Sequence, residues 1–488
     1  MKIEGNRMAE KGWTLAFTAR YVRRYKNRPE RNRFRFAMAG TGRYMIDWGD
    51  GTVERGERMP ETLEGGDCGH TYRRRGRYRI RIVGEEGELW QFGCGRKEAE
   101  ETGFSELSME GCEGLRRWEC GGMRGMLPEL GRLTRLEVLD CSHNRLSELE
   151  VGALGRLKIL ICSGNDLRGL EVGGCPELEV LKADFNRLEG VELSKNRRLR
   201  VLDLGGNWPE LRRLEVGGCP ELEVLECMGS NLMELDVSGN GRLRVLNCGS
   251  NELSALDVTH CPELEELDCE GNPLTELDVS RNGRLRRLSC RHAELRGLDV
   301  THNPELEEVW VSDNGLTELD VSRNPKLERL WCYRNRIGRL ELGGNEALEE
   351  LKCDGNKLTV LDVSGLPRLR QLLCYRNALK VLDVSRNGWL ERLACDKNGL
   401  TELVVGGNGR LVSLECYGNR LAAEGMERIY EALPQGRCEG MEDEKLVGEL
   451  VVDYDRAGDY GRAERKGWRV VLVGWEKGDE EDGRFRRG

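Results

Sequence analysis

Cysteine is the residue type whose spacing in this sequence most invites a chemical interpretation. Of the 19 cysteines, twelve occupy one position of a 21-residue period, a regularity that could serve disulfides, a metal ion or a reactive thiol. These twelve are Cys120, Cys141, Cys162, Cys227, Cys248, Cys269, Cys290, Cys332, Cys353, Cys374, Cys395 and Cys416. Four more precede such a position by eight residues (Cys112, Cys175, Cys219 and Cys261), and the last three are Cys68, Cys94 and Cys438.

The spacing argues against each of these uses. On neighbouring strands of a parallel stack the thiols would lie about 4.8 Å apart, which exceeds the Cβ separation of about 3.8 Å that a disulfide needs. A straight column cannot supply the four converging ligands of a tetrahedral zinc site, and the sequence has no C-x-x-C pair. Because free cysteine packs well as a small apolar residue, we predict a structural ladder in the core, with no metal ion and no cofactor.

Carboxylates recur in two patterns that could hold calcium. One is a column in the sequence Asp-Val-Ser/Thr, formed by Asp236, Asp257, Asp278, Asp299, Asp320, Asp362 and Asp383. The other is the pair Asp47 and Asp50 in the sequence DWGDG, where Asp and Gly are typical of a tight turn. Local hydrogen-bond partners are available in both patterns, so we favour turn-stabilising carboxylates and keep calcium as the alternative.

The sequence shows no recognisable set of catalytic residues. The five histidines are dispersed, at His70, His143, His260, His292 and His302. The sequence contains no HExxH, no G-x-S-x-G, no P-loop and no dinucleotide fingerprint in a strand–helix setting. We therefore predict that the protein is not an enzyme.

Net charge and hydropathy argue against nucleic-acid binding and against a membrane-spanning segment. The net charge is −10, which disfavours nucleic-acid binding. No apolar run reaches the roughly 18 residues of a membrane span, and the first residues show no apolar core or cleavage site of a secretory signal. Residues 19–36 are strongly basic, but the alternation in RFRFAMAG favours a strand with a basic solvent face over an anion-binding patch.

The element that positions the cysteines is a 21-residue unit repeated about 15 times, from about Leu107 to Leu421, with a two-residue insertion near Trp208–Pro209. A fixed period of this length predicts a solenoid. Leu-x-Cys alternation places both side chains on one face of a short strand. Asparagine follows the ladder position by three residues in 12 of 15 copies, and we expect its buried amide to satisfy backbone groups of the turn.

The pattern changes at both ends of the repeats. We predict a lead-in over residues 1–12, a β-sandwich over 13–95, the solenoid over 104–421, an α/β cap over 422–475 and a disordered charged tail over 476–488. The cap is predicted from an amphipathic helix in LAAEGMERIYEAL and from apolar strands in KLVGELVVDY and WRVVLVG. Such a cap would cover the core of the last repeat.

Two resemblances follow from these motifs. The pattern Leu-x-x-Leu-x-Cys-x-x-Asn-x-Leu, nested with Leu-x-x-Leu-Asp-Val-Ser-x-Asn, resembles the short 21-residue class of bacterial leucine-rich repeats. The motifs IDWGDGT, HTY and G-x-Y-x-I-x-I resemble a polycystic-kidney-disease-type (PKD-like) β-sandwich. Together they imply a leucine-rich-repeat solenoid of the α/β class, with a parallel strand in each turn, an N-terminal sandwich and a C-terminal α/β cap. They also imply a secreted or cell-surface bacterial adhesion or host-interaction protein, whereas the missing signal leaves the cytoplasm as the alternative.

Large side chains beside the ladder position are expected to face solvent on the concave face of the solenoid. In the C-terminal half they are Trp310, Trp331, Tyr333, Arg334, Tyr375, Arg376, Lys397 and Tyr417. Trp, Tyr and Arg dominate binding hot spots, so we predict non-enzymatic recognition of a protein or a glycan by these residues. The alternatives are an effector or enzyme subunit whose repeats only select a substrate, a purely structural spacer, and drift on a solvated surface.

Overall fold

The computed structural model describes residues 12–21, 34–63, 66–74, 76–85, 87–94, 104–122, 127–435, 448–454 and 456–473. Most of the predicted lead-in and basic stretch and all of the predicted tail lie outside these ranges, as does Cys438. The chain divides into two compact units, Met1–Leu243 and Arg244–Gly488. The boundaries predicted for the sandwich, the solenoid and the cap do not coincide with this division, and they stay predictions.

The first unit begins with eight strands arranged as a β-sandwich. They are β1 (Trp13–Tyr21), β2 (Phe34–Gly40), β3 (Arg43–Asp47), β4 (Val53–Gly56), β5 (Asp67–His70), β6 (Gly76–Glu85), β7 (Leu89–Gly93) and β8 (Phe104–Glu110). One sheet has the order β4-β3-β6-β1-β8, and the other joins β5, β2 and β7. Aromatic rings fill the space between the sheets: the Phe36 ring centroid lies 6.1 Å from Phe17 and 5.5 Å from Trp48.

The second sheet of the sandwich runs on into the repeats of the same unit. Strand β7 pairs in parallel with the first repeat strand, which matches Phe92 to Trp118. The repeat strands are β9 (Arg117–Glu119), β10 (Val138–Asp140), β11 (Ile159–Ile161), β12 (Val180–Lys182), β13 (Val201–Asp203) and β14 (Val224–Glu226). Their parallel register advances by 21 residues, except between β13 and β14, where the insertion makes the step 23. A 3-10 turn, Leu130–Arg132, lies between the first two.

The second unit continues the same pattern. Its strands are β15 (Val245–Asn247), β16 (Glu266–Asp268), β17 (Arg287–Ser289), β18 (Glu308–Trp310), β19 (Glu318–Asp320), β20 (Arg329–Trp331), β21 (Arg339–Glu341), β22 (Glu350–Lys352), β23 (Gln371–Leu373), β24 (Val381–Asp383), β25 (Arg392–Ala394), β26 (Glu402–Val404) and β27 (Ser413–Glu415). Strand β19 pairs in parallel with β21, and β24 pairs in parallel with β26, as two separate two-stranded sheets. The other strands of this unit build the main parallel sheet. The middle residue of each main strand points into the core and its two neighbours point outward, as period-two alternation requires.

A small α/β element closes the second unit. Helices α1 (Ala423–Ala432) and α2 (Gly461–Arg465) accompany strands β28 (Gly448–Asp453) and β29 (Trp468–Val473), which extend the main sheet in parallel beyond β27. Buried polar groups find partners here, since the Tyr430 hydroxyl donates to the Ala457 carbonyl at 2.5 Å and the Trp468 indole donates to the Pro434 carbonyl at 2.9 Å. In the described residues, no helix has the length and apolar character needed to cross a bilayer.

Buried asparagines tie successive turns together, as Asn356 illustrates. Its side-chain amide donates to the carbonyls of Cys332 and Cys353, at 2.9 and 3.0 Å, and its side-chain oxygen accepts from the backbone N–H of Ile337 at 2.9 Å. One side chain thus joins its own turn to the preceding one. A second asparagine column, which includes Asn345, also donates to carbonyls of earlier turns, at 2.8 and 2.9 Å.

Candidate functional site

The cysteine ladder lies in the core of the repeats. All twelve ladder cysteines are buried and unbridged. Burial raises the pKa of the Cys290 thiol to about 12 and that of Cys353 well above its ordinary value. In the second set, the Cys175 thiol lies 3.3 Å from the Val151 carbonyl, in the place where other turns carry an asparagine amide. Neutral thiols in such an environment pack rather than react.

We therefore expect the ladder to resist thiol reagents in the folded protein. In a Cys438→Ala background, a small disulfide reagent should label the ladder cysteines at least about 100-fold more slowly without denaturant than in about 6 M guanidinium, because reaction needs an exposed thiolate. Mass spectrometry of the labelled peptides would report each position. Rapid labelling of Cys353 or Cys374 in the folded chain would contradict this description of the core.

The carboxylate patterns are turns in the structure. Asp278 accepts the backbone N–H of Ser280 at 2.9 Å, and its side-chain and backbone hydrogen bonds with Ser280 lower its pKa. In DWGDG, Asp47 accepts the N–H of Gly49 at 2.9 Å and Asp50 accepts that of Thr52 at 3.0 Å. Within the described ranges, no three His, Cys, Asp or Glu side chains converge as metal ligands would. Both patterns form the turn hydrogen bonds expected of turn-stabilising carboxylates, and their structural role stays a prediction.

The predicted binding residues lie on the outward side of the main sheet in the second unit and in the turns that directly follow its strands. This surface is here called the strand face. Trp310 and Trp331 follow each other on β18 and β20, paired in register. Their rings stack with centroids 5.2 Å apart and planes 24° from parallel. The Arg291 guanidinium lies 5.6 Å from the Trp310 centroid on one side, and the Lys352 ammonium lies 4.0 Å from the Trp331 centroid on the other.

This four-layer stack changes the expected role of the tryptophans. Both are half-buried, and both indole N–H groups are buried without a hydrogen-bond partner in the described structure. The exposed part of each ring is therefore carbon. The two indole rings cover one face of each other, and the Arg291 and Lys352 side chains cover the outer faces. A ligand can therefore contact the ring edges and the two cationic groups, but not an open aromatic face.

Next to the tryptophans runs a tyrosine–aspartate ladder, formed by Tyr333, Asp354, Tyr375, Asp396, Tyr417 and Asp453 in successive turns. Tyr375 donates a hydrogen bond to Asp354, and Tyr417 donates one to Asp396. The two carboxylates are only 5% and 4% exposed. Burial raises the pKa of Asp396 to about 6, with the neighbouring Glu415 carboxylate contributing. Two of the predicted anchors, Tyr375 and Tyr417, are therefore phenols held in place by buried carboxylates.

The predicted basic residues follow this ladder by one position. Arg334, Arg376 and Lys397 have φ values of 51°, 52° and 52°, in the left-handed region. Arg334 runs over Gly355 and Lys397 over Gly418, so closely that a Cβ at either glycine would lie within 3.4 and 3.2 Å of the respective aliphatic stem. Burial and the nearby Arg376 charge lower the pKa of Lys397, whose ammonium lies 5.7 Å from the Tyr417 ring centroid. The structure thus brings all eight predicted residues onto one side of the second unit.

A second candidate surface was missed by the sequence reasoning, which confined aromatic residues to the C-terminal half. In the first unit, Phe185 and Trp208 are 68% and 67% exposed, and Met228 and Met233 are exposed as well. Phe185 lies against Gly206, and Gly206 donates its N–H to the Met228 carbonyl at 2.8 Å, so this apolar cluster spans successive turns. Phe185 occupies the column that Arg334 occupies in the second unit, where the prediction named only basic residues.

Comparison with known proteins agrees with this architecture. A profile described as Leucine Rich Repeat matches residues 135–157. The functional domain of InlJ from Listeria monocytogenes, which includes a cysteine ladder, is 29% identical over 62% of this chain and 66% of that domain, with a TM-score of 0.53. The fold is a leucine-rich-repeat solenoid. The predicted fold class is thereby confirmed.

Two other similar structures extend the comparison. The leucine-rich-repeat ectodomain of the plant receptor kinase GASSHO1/SCHENGEN3 from Arabidopsis thaliana, in complex with CASPARIAN STRIP INTEGRITY FACTOR 2, is 20% identical over 75% of this chain and 50% of that one, with a TM-score of 0.52. YopM from Yersinia enterocolitica is 25% identical over 63% of this chain and 61% of that one, with a TM-score of 0.46. These solenoids, including the InlJ domain, all extend beyond the matched part. No curated protein sequence matches this chain significantly.

Proposed function

We propose that the protein is a non-enzymatic recognition scaffold that binds a protein partner on the strand face of its second unit. The observation that carries this proposal is the concentration of half-buried or exposed Trp, Tyr, Arg and Lys side chains on one parallel sheet and in the turns that follow its strands. Such residues lose little conformational entropy on binding when their neighbours already hold them. The InlJ-like and receptor-like solenoids named above support a binding role for this fold.

The geometry favours a protein over a glycan on this face. Sugar rings bind aromatic side chains by stacking on an open ring face, and the faces of Trp310 and Trp331 are covered by each other, by Arg291 and by Lys352. Exposed ring edges, phenols and guanidinium groups suit the mixed polar and apolar surface of a protein. We extend the proposal to a role in adhesion or host interaction at the surface of a bacterium, which rests on the resemblance of the repeats and the PKD-like sandwich. Antibody binding to intact cells would test that location.

The proposal predicts a partner whose capture depends on the strand face. Immobilised full-length protein and a Trp331→Ala/Tyr333→Ala/Arg376→Ala variant would be compared in affinity capture followed by titration of the purified partner. We expect the variant to bind about 100-fold more weakly or worse, because truncated hot-spot residues cost about 1–4 kcal/mol each.

The matched control is Trp389→Ala, an exposed tryptophan of the same unit in a turn outside the main sheet. It should retain wild-type affinity, and circular dichroism should show that every variant keeps its fold. A partner that both variants bind as tightly as the wild type would exclude the strand face. A purified glycan captured through these residues in place of any protein would overturn the choice of partner.

A further inference from the structure

One edge of the second unit carries an unusual concentration of positive charge. The turns that follow the last main-sheet strands carry seven basic side chains, six exposed and one, Lys397, half-buried. They are here called the basic rim: Arg334, Arg336, Lys357, Arg376, Lys380, Lys397 and Arg420. In these turns the acidic residues from Tyr333 to Glu402 are Asp354 and Asp396, which are buried and held by tyrosines, and the exposed Glu402. The rim therefore presents almost uncompensated positive charge on a chain with a net charge of −10.

The rim charges have few partners of their own. Arg334 pairs with Asp313, with 3.6 Å between a guanidinium nitrogen and a carboxylate oxygen. Within the described part of the chain, five others form no ion pair, in contrast to the repeated Arg–Glu pairs elsewhere on the same unit, such as Arg286 with Glu307 at 2.8 Å. These five are Arg336, Lys357, Arg376, Lys380 and Arg420. Unpaired, exposed guanidinium and ammonium groups are available to an external anion.

The corresponding turns in the first repeats of this unit carry the opposite sign. They expose Glu252, Glu276, Glu294 and Glu318, with Arg296 as the main exposed counter-charge. The sign changes between the turn after β18 and the turn after β20. A ligand that follows the rim is thus attracted along five turns only, which at about 4.8 Å per strand is about 19 Å, the length of some six residues of extended peptide.

The residues around the basic rim favour an acidic peptide over a nucleic acid or another long polyanion. Val360 is 75% exposed and Val381 is also exposed, in adjacent turns beside Lys357 and Lys380. The acidic turns before β20 would repel a long polyanion such as a nucleic acid. Exposed carbon between cations suits carboxylates that alternate with apolar side chains.

We propose that the basic rim binds a short acidic segment of the protein partner, an extended stretch in which Asp or Glu alternates with apolar residues. Its carboxylates would contact the guanidinium and ammonium groups of the rim, and its apolar side chains would cover Val360 and Val381. This inference rests on the proposed function, since it names the chemistry of the partner of the same unit.

The test uses full-length protein and a fluorescent eight-residue peptide of alternating Glu and Val, with alternating Gln and Val as the neutral control. We expect saturable binding of the acidic peptide by fluorescence anisotropy, and binding at least about tenfold weaker for Arg336→Glu/Lys357→Glu/Lys380→Glu. Affinity should also fall as salt rises from about 50 to 300 mM, because the Debye length shortens. An Arg336→Gln/Lys357→Gln/Lys380→Gln variant should show the same direction of change with a smaller effect.

The matched control reverses three exposed arginines of the same unit outside the rim, in Arg281→Glu/Arg323→Glu/Arg386→Glu, with an identical change in net charge. It should weaken binding by less than about threefold. The inference would be overturned if both triple variants lost the same affinity for the acidic peptide, or if that peptide did not bind at all. Tighter binding of a single-stranded oligonucleotide or a sulfated oligosaccharide would also overturn it. If a Trp331→Ala/Tyr333→Ala double variant, which keeps every rim residue, still loses the partner, the proposed function stands.

Discussion

Replacing Asn356 by leucine is expected to lower the free energy of unfolding by about 3–5 kcal/mol. The substitution leaves the N–H of Ile337 without its hydrogen bond in a dry core. It also removes one of the two asparagine donors to each of the Cys332 and Cys353 carbonyls, at about 0.5–1.5 kcal/mol per hydrogen bond. These carbonyls keep the donors from Asn335 and Asn377. Each buried polar group that loses its partner costs about 1–3 kcal/mol, and an apolar side chain offers no replacement. Urea unfolding followed by circular dichroism would measure the change.

The chain supplies its own control in the second asparagine column. Asn345→Leu removes two hydrogen bonds, to the carbonyls of Val321 and Asn324, but it also removes a buried side-chain oxygen that has no partner in the described structure. One turn later the same position is naturally Leu366, so this column tolerates leucine. We expect a loss of about 1–2 kcal/mol. Equal losses for Asn345→Leu and Asn356→Leu would contradict the distinction between the two columns.

Asp396 makes the stability of the second unit depend on pH in an uncommon direction. Burial raises its pKa from the ordinary 3.8 to about 6, so between these values the folded state binds more protons than the unfolded state. The contribution of Asp396 to stability is therefore greatest below about pH 4 and is lost as the pH rises to about 6. The shift of about two pKa units corresponds to about 2–3 kcal/mol.

The variant Asp396→Asn isolates this effect. An amide carries no charge at any of these pH values and still accepts the hydrogen bond from Tyr417, so the variant should gain about 2–3 kcal/mol relative to wild type between pH 4 and pH 7. Denaturant unfolding at both pH values would measure it. Asp383→Asn is the opposing control, because hydrogen bonds from Ser385 lower the pKa of that exposed carboxyl and its stabilisation is present at neutral pH. A difference between wild type and Asp396→Asn that does not change with pH would refute the buried-carboxylate assignment.

The sequence was sufficient to predict the repeating architecture. A period of 21 residues defines the turns, Leu-x-Cys alternation defines the inward face, and the regular asparagine predicts a hydrogen-bonded amide of the kind that Asn356 shows. These features lie within a single repeat and recur in many repeats. Because the same residue types stand at the same positions in each copy, the strand and turn predicted for one repeat are supported by the others. Turn carboxylates such as Asp278 are equally local, because Asp accepts from the backbone two residues later.

The properties of the candidate site depend on contacts between turns, which a single repeat does not encode. The stacking of Trp310 on Trp331 is suggested by their shared column, but the coverage by Arg291 and Lys352 requires knowing how different columns approach each other. Burial of Asp354 and Asp396 follows from tyrosines one turn away. The exposed Phe185 and Trp208 were missed because their turns carry Ala183 and Leu204 at the ladder position and an irregular insertion, so they interrupted the pattern that guided the prediction.

The pairing of β7 with β9 has a consequence for how the first unit folds and how it can be cut. A repeat sheet that ends abruptly presents a row of unpaired N–H and C=O groups to other chains, and here the sandwich strands β7, β2 and β5 occupy that edge. The sandwich and the first repeats therefore share one hydrogen-bonded sheet rather than a tether. A fragment that starts at residue 104 would begin with an unpaired strand edge that is prone to aggregate. A fragment that stops at residue 95 would leave β7 without its parallel neighbour β9. The two parts are best expressed as a single cooperative piece.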